Sequence, residues 1–400
     1  FRYDKVIFAA SSYDASVFPA MENFLRKLLN KNYQNKKVGI IENGTVLIEQ
    51  NKIVAVGADV VIPPNAQIID VEGRIVTPGF IDAHTHIGID EEIHQPMGDD
   101  CNEMTEPNTA ELRAMDAINY RDLAFQDAAK AGITTVMVTP GSANVFGGLV
   151  AVMKTAGKTY KEMLVNGEAG LKMAFGENPK RVYGEKDKAP STRMATMAIA
   201  RQGFYEAKEY LNKSEEDREF SLQTEHIAKA LNGGIPVRAH AHRADDIMTA
   251  IRLRDEFQLD LVVEHCTDGH LIVDELAEAK VPVAVGPSFS NRAKVEMEHV
   301  TFRTPGVLAN AGLDVAIITD APCTPIQFLP ICAGLAMREG MKEYDAFKAL
   351  TIVPAKILRA DDRIGSLKAG KDADVVVWDG HPFEIMGRPK YVFINGKQID

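Results

Sequence analysis

An apolar run that ends in two histidines one residue apart, Val76-Thr-Pro-Gly-Phe-Ile-Asp-Ala-His84-Thr-His86, constrains this chain more than any other feature. Side chains alternate across a strand, so His84 and His86 point the same way, and at a strand's C-terminal mouth they can reach one ion together. The spacing is that of metal ligands. Two polar fillers beside a turn would look the same in isolation, so the weight falls on what accompanies the pair.

What accompanies it is a long alternation of strands and helical stretches, the pattern of a parallel sheet covered by helices. Eight strands can be counted, ending near His86, Val138, Lys154, Phe175, His240, His265, Val285 and Asp320. Eight is the number a (β/α)₈ TIM barrel needs, and active sites of that fold sit at the C-terminal mouths of the strands. The unusual residues fall there: His84 and His86 on strand one, Lys172 and Glu177 at strand four, His240 at strand five, His265 at strand six and Asp320 at strand eight. Imidazoles with one or two carboxylates are what a catalytic Zn²⁺ or similar divalent ion takes while leaving room for water.

The rest of the chain divides around this barrel, expected over residues 76–360. Short strands at 44–75 and 361–400 are each too few to close a core, so the two ends are expected to pair into one small β-sandwich. Residues 1–43 read as strand, helix, strand, with Lys5-Val-Ile-Phe-Ala-Ala as the first strand, Ala20 to Leu29 as the helix and Lys37-Val-Gly-Ile-Ile as the second strand. Ser11-Ser-Tyr-Asp-Ala-Ser-Val-Phe-Pro19 and Asn32-Tyr-Gln-Asn-Lys-Lys-Val-Gly-Ile-Ile-Glu-Asn-Gly44 make this segment similar to part of the flavodoxin-like domain of flavodiiron proteins. That resemblance implies a β-α-β fragment and, as an alternative function, a flavin-binding redox module. The fragment lacks the family's first phosphate-binding loop. Lys37 to Ile41 is also the candidate for a missing edge strand of the sandwich.

Over the remainder, from about Thr45 to Asp400, the chain resembles the amidohydrolase superfamily. Pro78-Gly-Phe-Ile-Asp-Ala-His-Thr-His86 is that family's opening motif, further signatures follow in order at His240, His265 and Asp320, and Gly370-Lys-Asp-Ala-Asp-Val-Val-Val-Trp matches its usual tail. Within it the wording is nearest the imidazolonepropionase-like and dipeptidase-like branch. The resemblance implies hydrolysis of a C–N bond in a cyclic amide, an N-acyl amino acid or a dipeptide-like substrate. It implies one or two Zn²⁺ ions that acidify a water, with His84, His86, His240, His265 and Asp320 as ligands and Asp320 as general base and then acid. A bridge between two ions would come from Lys172, carboxylated by CO₂, or from Glu177. His242, Arg243 and Arg181 are then candidate substrate contacts, and Asp268 and His270 read as solvated loop residues. A barrel that has lost catalysis and acts as a scaffold is the remaining alternative.

Composition narrows the partners. A formal charge of −11 argues against nucleic acid or an anionic membrane. No 18-residue apolar run and no signal-peptide order is present, and Cys101, Cys266, Cys323 and Cys332 form no C-x-x-C pair, so a cytoplasmic protein with reduced thiols is expected. The expected partner is a small-molecule substrate, with association into a homo-oligomer usual for such barrels. The Gly-rich loop Thr139 to Gly148 could offer backbone N–H groups to an anion.

Overall fold

The computed structural model describes residues 5–9, 44–93 and 96–399. The helix expected at Ala20 to Leu29 and the strand expected at Lys37 to Ile41 lie outside them. The chain forms two compact units. One takes its described residues from Phe1–Gly79, Asp362–Pro382 and Met386–Asp400, and the other is Phe80–Asp361 with Phe383–Ile385.

The first unit holds two four-stranded sheets. In one, β1 (Lys5–Ala9) lies between β2 (Thr45–Glu49) and β4 (Gln67–Asp70), with β3 (Lys52–Gly57) beyond β2. β1 runs antiparallel to β2 and parallel to β4. The other sheet joins β5 (Ile75–Pro78) to β14 (Val375–Asp379), β15 (Arg388–Ile394) and β16 (Lys397–Ile399). Val46, Ile48, Ile53, Val71, Val375, Val377 and Phe393 meet in this unit's core, so the two chain ends share one apolar centre.

The second unit is an eight-stranded barrel, in the order β6 (Phe80–Thr85), β7 (Ile133–Val138), β8 (Phe146–Lys154), β9 (Leu164–Ala174), β10 (Val237–Ala241), β11 (Leu261–His265), β12 (Val283–Val285) and β13 (Val315–Ile317). Thr85 bridges to Ala321, and the His86 amide donates to Ala321 O at 2.8 Å, which brings the chain beyond β13 back to the end of β6. Most barrel strands are buried along their length and read as near-continuous apolar runs, as strands covered on both faces do.

Two details depart from the sequence reading. The single strand expected through Val76 to His86 is broken at Gly79, where β5 ends on Pro78, a residue with no N–H for a ladder. And β8 runs antiparallel to both β7 and β9. A parallel return needs a crossover of roughly a dozen residues or more. Only residues 139–145 separate β7 from β8, so the chain can only fold back. Phe146, not Lys154, is consequently the end of β8 beside the C-terminal mouths of its neighbours.

Candidate metal centre

β6 ends in Asp82-Ala-His84-Thr85, so Asp82 and His84 share a face. Asp82 accepts the amide and hydroxyl of Thr319 and the amide of His84, which ties the end of β6 to the stretch leading from β13 into Asp320. Burial raises the Asp82 carboxyl to about 7, against those hydrogen bonds. Asp320 itself sits at φ 55, in the left-handed region that non-glycine residues seldom adopt. β11 uses the same device: His265 has φ 69, so Glu264 and His265 escape strand alternation and both face the centre.

Asp320 Oδ1 lies 3.2 Å from His84 Nε2 and 3.1 Å from His86 Nε2, and Oδ2 lies 3.9 Å from His265 Nδ1. The other ring nitrogens set the tautomers. His86 Nδ1 is 2.7 Å from Thr139 O, and His84 Nδ1 abuts Glu264 Oε2; both oxygens only accept, so both Nδ1 atoms carry the proton. The Nε2 lone pairs then face a carboxylate oxygen. Acceptors turned toward one another at these distances call for a cation among them. Asp320 Oδ1 and His84 Nε2 have no hydrogen-bond partner among the described residues, which fits a divalent ion. In the metal-free chain a proton does part of this work. Burial lowers the His86 pKa, but Cys101 and Asp320 outweigh it and hold it well above the ordinary value. Burial would raise the Asp320 carboxyl; His265, His84 and His86 together pull it well below the usual range.

A second group of donors adjoins the first. His240, His242 and His265 offer ring nitrogens within 4.8 Å of one another, and ring nitrogens of His84 and His86 and a carboxylate oxygen of Asp320 lie as close together. The groups touch through His84 and His265, whose ring centroids are 4.8 Å apart. His265 Nδ1 meets Gly286 O at 2.8 Å, so its Nε2 carries the lone pair. Burial lowers the pKa of all three, that of His242 to about 4, so they are neutral and ready to bind an ion.

Beneath the histidines lies a buried charged layer. Arg238, inside β10, donates to Glu264 at 2.6 Å and to Ala83 O at 2.8 Å. Lys172 Nζ is 3.5 Å from Glu264 Oε2, is 1% exposed and makes no hydrogen bond among the described residues. Burial lowers its pKa, against the pull of Glu264. Burial would raise Glu264, but Arg238, His84 and Lys172 hold it well below the usual carboxylate range.

The other expected residues lie differently. The Glu177 carboxylate accepts the amide of Glu296 at 3.4 Å and belongs to neither histidine group. Arg181 is exposed on the helix Glu177–Gly184, and Arg243 grips Asp245 with two hydrogen bonds. Asp268 is buried rather than solvated, because it accepts the Ala244 amide and meets His299 Nδ1 at 3.0 Å. In the Gly-rich loop, Gly141 N–H goes to Cys101 O and Ala143 N–H to Asn102 Oδ1, so neither is offered to an anion. Sequence reasoning passed over Arg238, Glu264 and Glu296. A charge inside an apolar strand such as Val-Arg-Ala-His-Ala is the signal that could have found the first.

A barrel whose rim gathers imidazoles around an aspartate offers a divalent ion its ligands at the place where this fold keeps its active site. The amidohydrolase family model matches residues 75–399, and the chain belongs to that family. It is similar to Amidohydrolase tasK of Hapsidospora irregularis, 28% identical over 89% of this chain, of which it spans 39%. It is also similar to the imidazolonepropionase of Fusobacterium nucleatum, 27% identical over 88% of this chain and 89% of the relative. A crystal structure of an amidohydrolase from Thermotoga maritima is 42% identical and superposes with a TM-score of 0.87 over 99% of both chains. No described helix is long and apolar enough to cross a membrane.

Proposed function

We propose that the chain hydrolyses a C–N bond in a cyclic amide, an N-acyl amino acid or a dipeptide-like small molecule, using one or two divalent ions, most simply Zn²⁺. The observation that carries this reading is the set of lone pairs on His84, His86 and Asp320 turned toward one point. A bound ion there supplies the Lewis acidity that acidifies a water and polarises the carbon under attack. Asp320, kept ionised by the surrounding imidazoles, takes the water's proton and passes it to the leaving nitrogen.

His240 and His265 are assigned to the same centre. Lys172, whose lowered pKa favours the neutral amine that reacts with CO₂, is assigned to the bridge as its carbamate; Glu177 is the less suited rival, since its carboxylate is held by the Glu296 amide. Arg181, Arg243 and His242 are the groups assigned to the substrate's polar ends. The imidazolonepropionase relatives support including a cyclic amide among the substrates. The flavin alternative rested on residues 1–43, of which the described part, Lys5–Ala9, is a strand of the small unit's sheet. A cytoplasmic setting and a homo-oligomer belong to the same proposal. Light scattering during size-exclusion chromatography reads the latter.

The test is a panel of N-acyl amino acids, dipeptides and cyclic ureides incubated with the Zn²⁺-loaded chain. Release of free amine or ring opening from at least one class supports the reading. A loaded chain inert across all three would sink the substrate assignment.

A further inference from the structure

The segments that follow β12 and β13 bring phenylalanine rings together at the mouth of the barrel. The first segment leaves β12 at Gly286, whose carbonyl accepts from His265 Nδ1 at 2.8 Å, and it reaches Glu296, whose Oε1 lies 3.6 Å from His240 Nε2. It therefore touches the histidines at both ends, with Phe289 between. The second segment carries Thr324, a fully buried residue whose amide donates to Thr319 O at 3.3 Å and whose hydroxyl donates to Phe289 O at 3.0 Å. One threonine thus joins Phe289 to the residue before Asp320. The Phe289 ring meets Phe328, just before the helix Leu329–Arg338, and Phe302, just before the helix Arg303–Asn310, with centroids 6.2 Å away in each case.

These rings are not covered by the fold. Phe289 is 47% exposed and Phe328 39%. Single exposed apolar residues are ordinary, but a cluster of aromatic rings on the rim where this fold keeps its active site suits an apolar part of a ligand. The cations of the same segment are already engaged. Arg292 donates to Glu298 O at 2.9 Å and to Val300 O at 3.5 Å, while Lys294 donates to Asn178 Oδ1 at 3.1 Å and faces Glu296 Oε1 at 3.6 Å. What the segment offers a ligand is therefore chiefly ring surface, not charge.

We propose that Phe289 and Phe328 determine specificity: they form an apolar wall for the substrate's side group, so the preferred substrate carries an aromatic or bulky aliphatic group next to the cleaved C–N bond. This deepens the hydrolase reading above and rests on it. Aromatic rings attract one another in edge and offset arrangements with centroids 4.5–7 Å apart, so a benzyl group would extend the contacts these rings already make. Phe302, more covered than the other two, braces Phe289 from the neighbouring segment. An ionised side group placed against the wall would lose water and gain no partner.

The experiment gives the Zn²⁺-loaded full-length chain matched pairs: N-acetyl-phenylalanine with N-acetyl-glycine, glycyl-phenylalanine with glycyl-glycine, and a benzyl-substituted with an unsubstituted cyclic ureide. In each pair that is cleaved, the parent is expected to favour the aromatic member at least about tenfold in kcat/KM. Phe289→Ala is expected to cut that ratio at least about threefold, mainly through KM, with Phe289→Leu keeping part of it. Should Phe289→Ala fail to fold, Phe328→Ala is expected to cut the same ratio. A purely structural role would slow both members by one factor and leave the ratio untouched. The proposal is overturned if the parent cleaves both members alike or favours the smaller one, or if the folded variants keep the parent's ratio. Equal cleavage of both members would leave the hydrolase reading standing, whereas a loaded chain that cleaves none of them would remove both.

Discussion

Asp320 is the residue on which the proposed chemistry converges, and its replacement separates chemistry from folding. Asp320→Asn preserves shape and most packing, so its circular dichroism is expected to match the parent's, while kcat falls by about 10²–10⁴ as a proton-transfer group is removed. Steady-state kinetics and circular dichroism together check this. Below it, Arg238 and Glu264 form a pair with both side chains fully buried. Glu264→Gln leaves the guanidinium without its counter-charge, a loss of roughly 3–5 kcal/mol that chemical denaturation would read. The histidines add a pH signature to the stripped chain. His242 falls from its ordinary 6.5 to about 4 in the folded state, so between those values the unfolded chain holds the extra proton. Stability is therefore expected to drop as pH falls below about 6.5, by up to roughly 1.4 kcal/mol per pH unit for each such histidine. His242→Asn is expected to flatten that slope, and an unchanged slope would contradict the assignment.

At the scale of elements, the ends of strands carry the site, and most of that was legible. The His-x-His pair, His240, His265 and Asp320 each close an apolar strand, so hydrophobic patterning located them. Glu264 was hidden because it sits next to His265 on a regular strand, where neighbours face apart; only the left-handed turn at His265 brings both inward. Glu296 was hidden for another reason, since its segment has no period and a loop acid carries no local mark. The direction of β8 was misread although the short 139–145 connection implied it. The place of Lys5–Ala9 in the small unit's sheet could not be read locally, because its partner β2 begins 40 positions later. The close approach after β12 offers a test of the barrel's last turn. Gly286 has φ +149, and a Cβ there would stand 2.1 Å from Ile318 O. Gly286→Ala is accordingly expected to cost more than about 1 kcal/mol, seen as a lowered melting temperature. A melt unchanged by the substitution would show that the strand ends tolerate displacement.

Across the whole molecule, the proposed metal would couple to the fold. Imidazoles and carboxylates from β6, β10, β11 and the segments after β12 and β13 meet at one rim, so an ion held there ties together parts of the chain far apart in sequence. An ion present at about a thousand times its dissociation constant adds roughly 4 kcal/mol to stability, so removing it is expected to lower the melting temperature by several degrees. The same manipulation examines the catalytic claim most directly. Once a cleaved member of the substrate panel is known, its hydrolysis is measured on the chelator-stripped chain before and after Zn²⁺ is returned. Loss of turnover on stripping and recovery on addition is the predicted result; a metal-free chain that cleaves the substrate at the full rate would contradict the account.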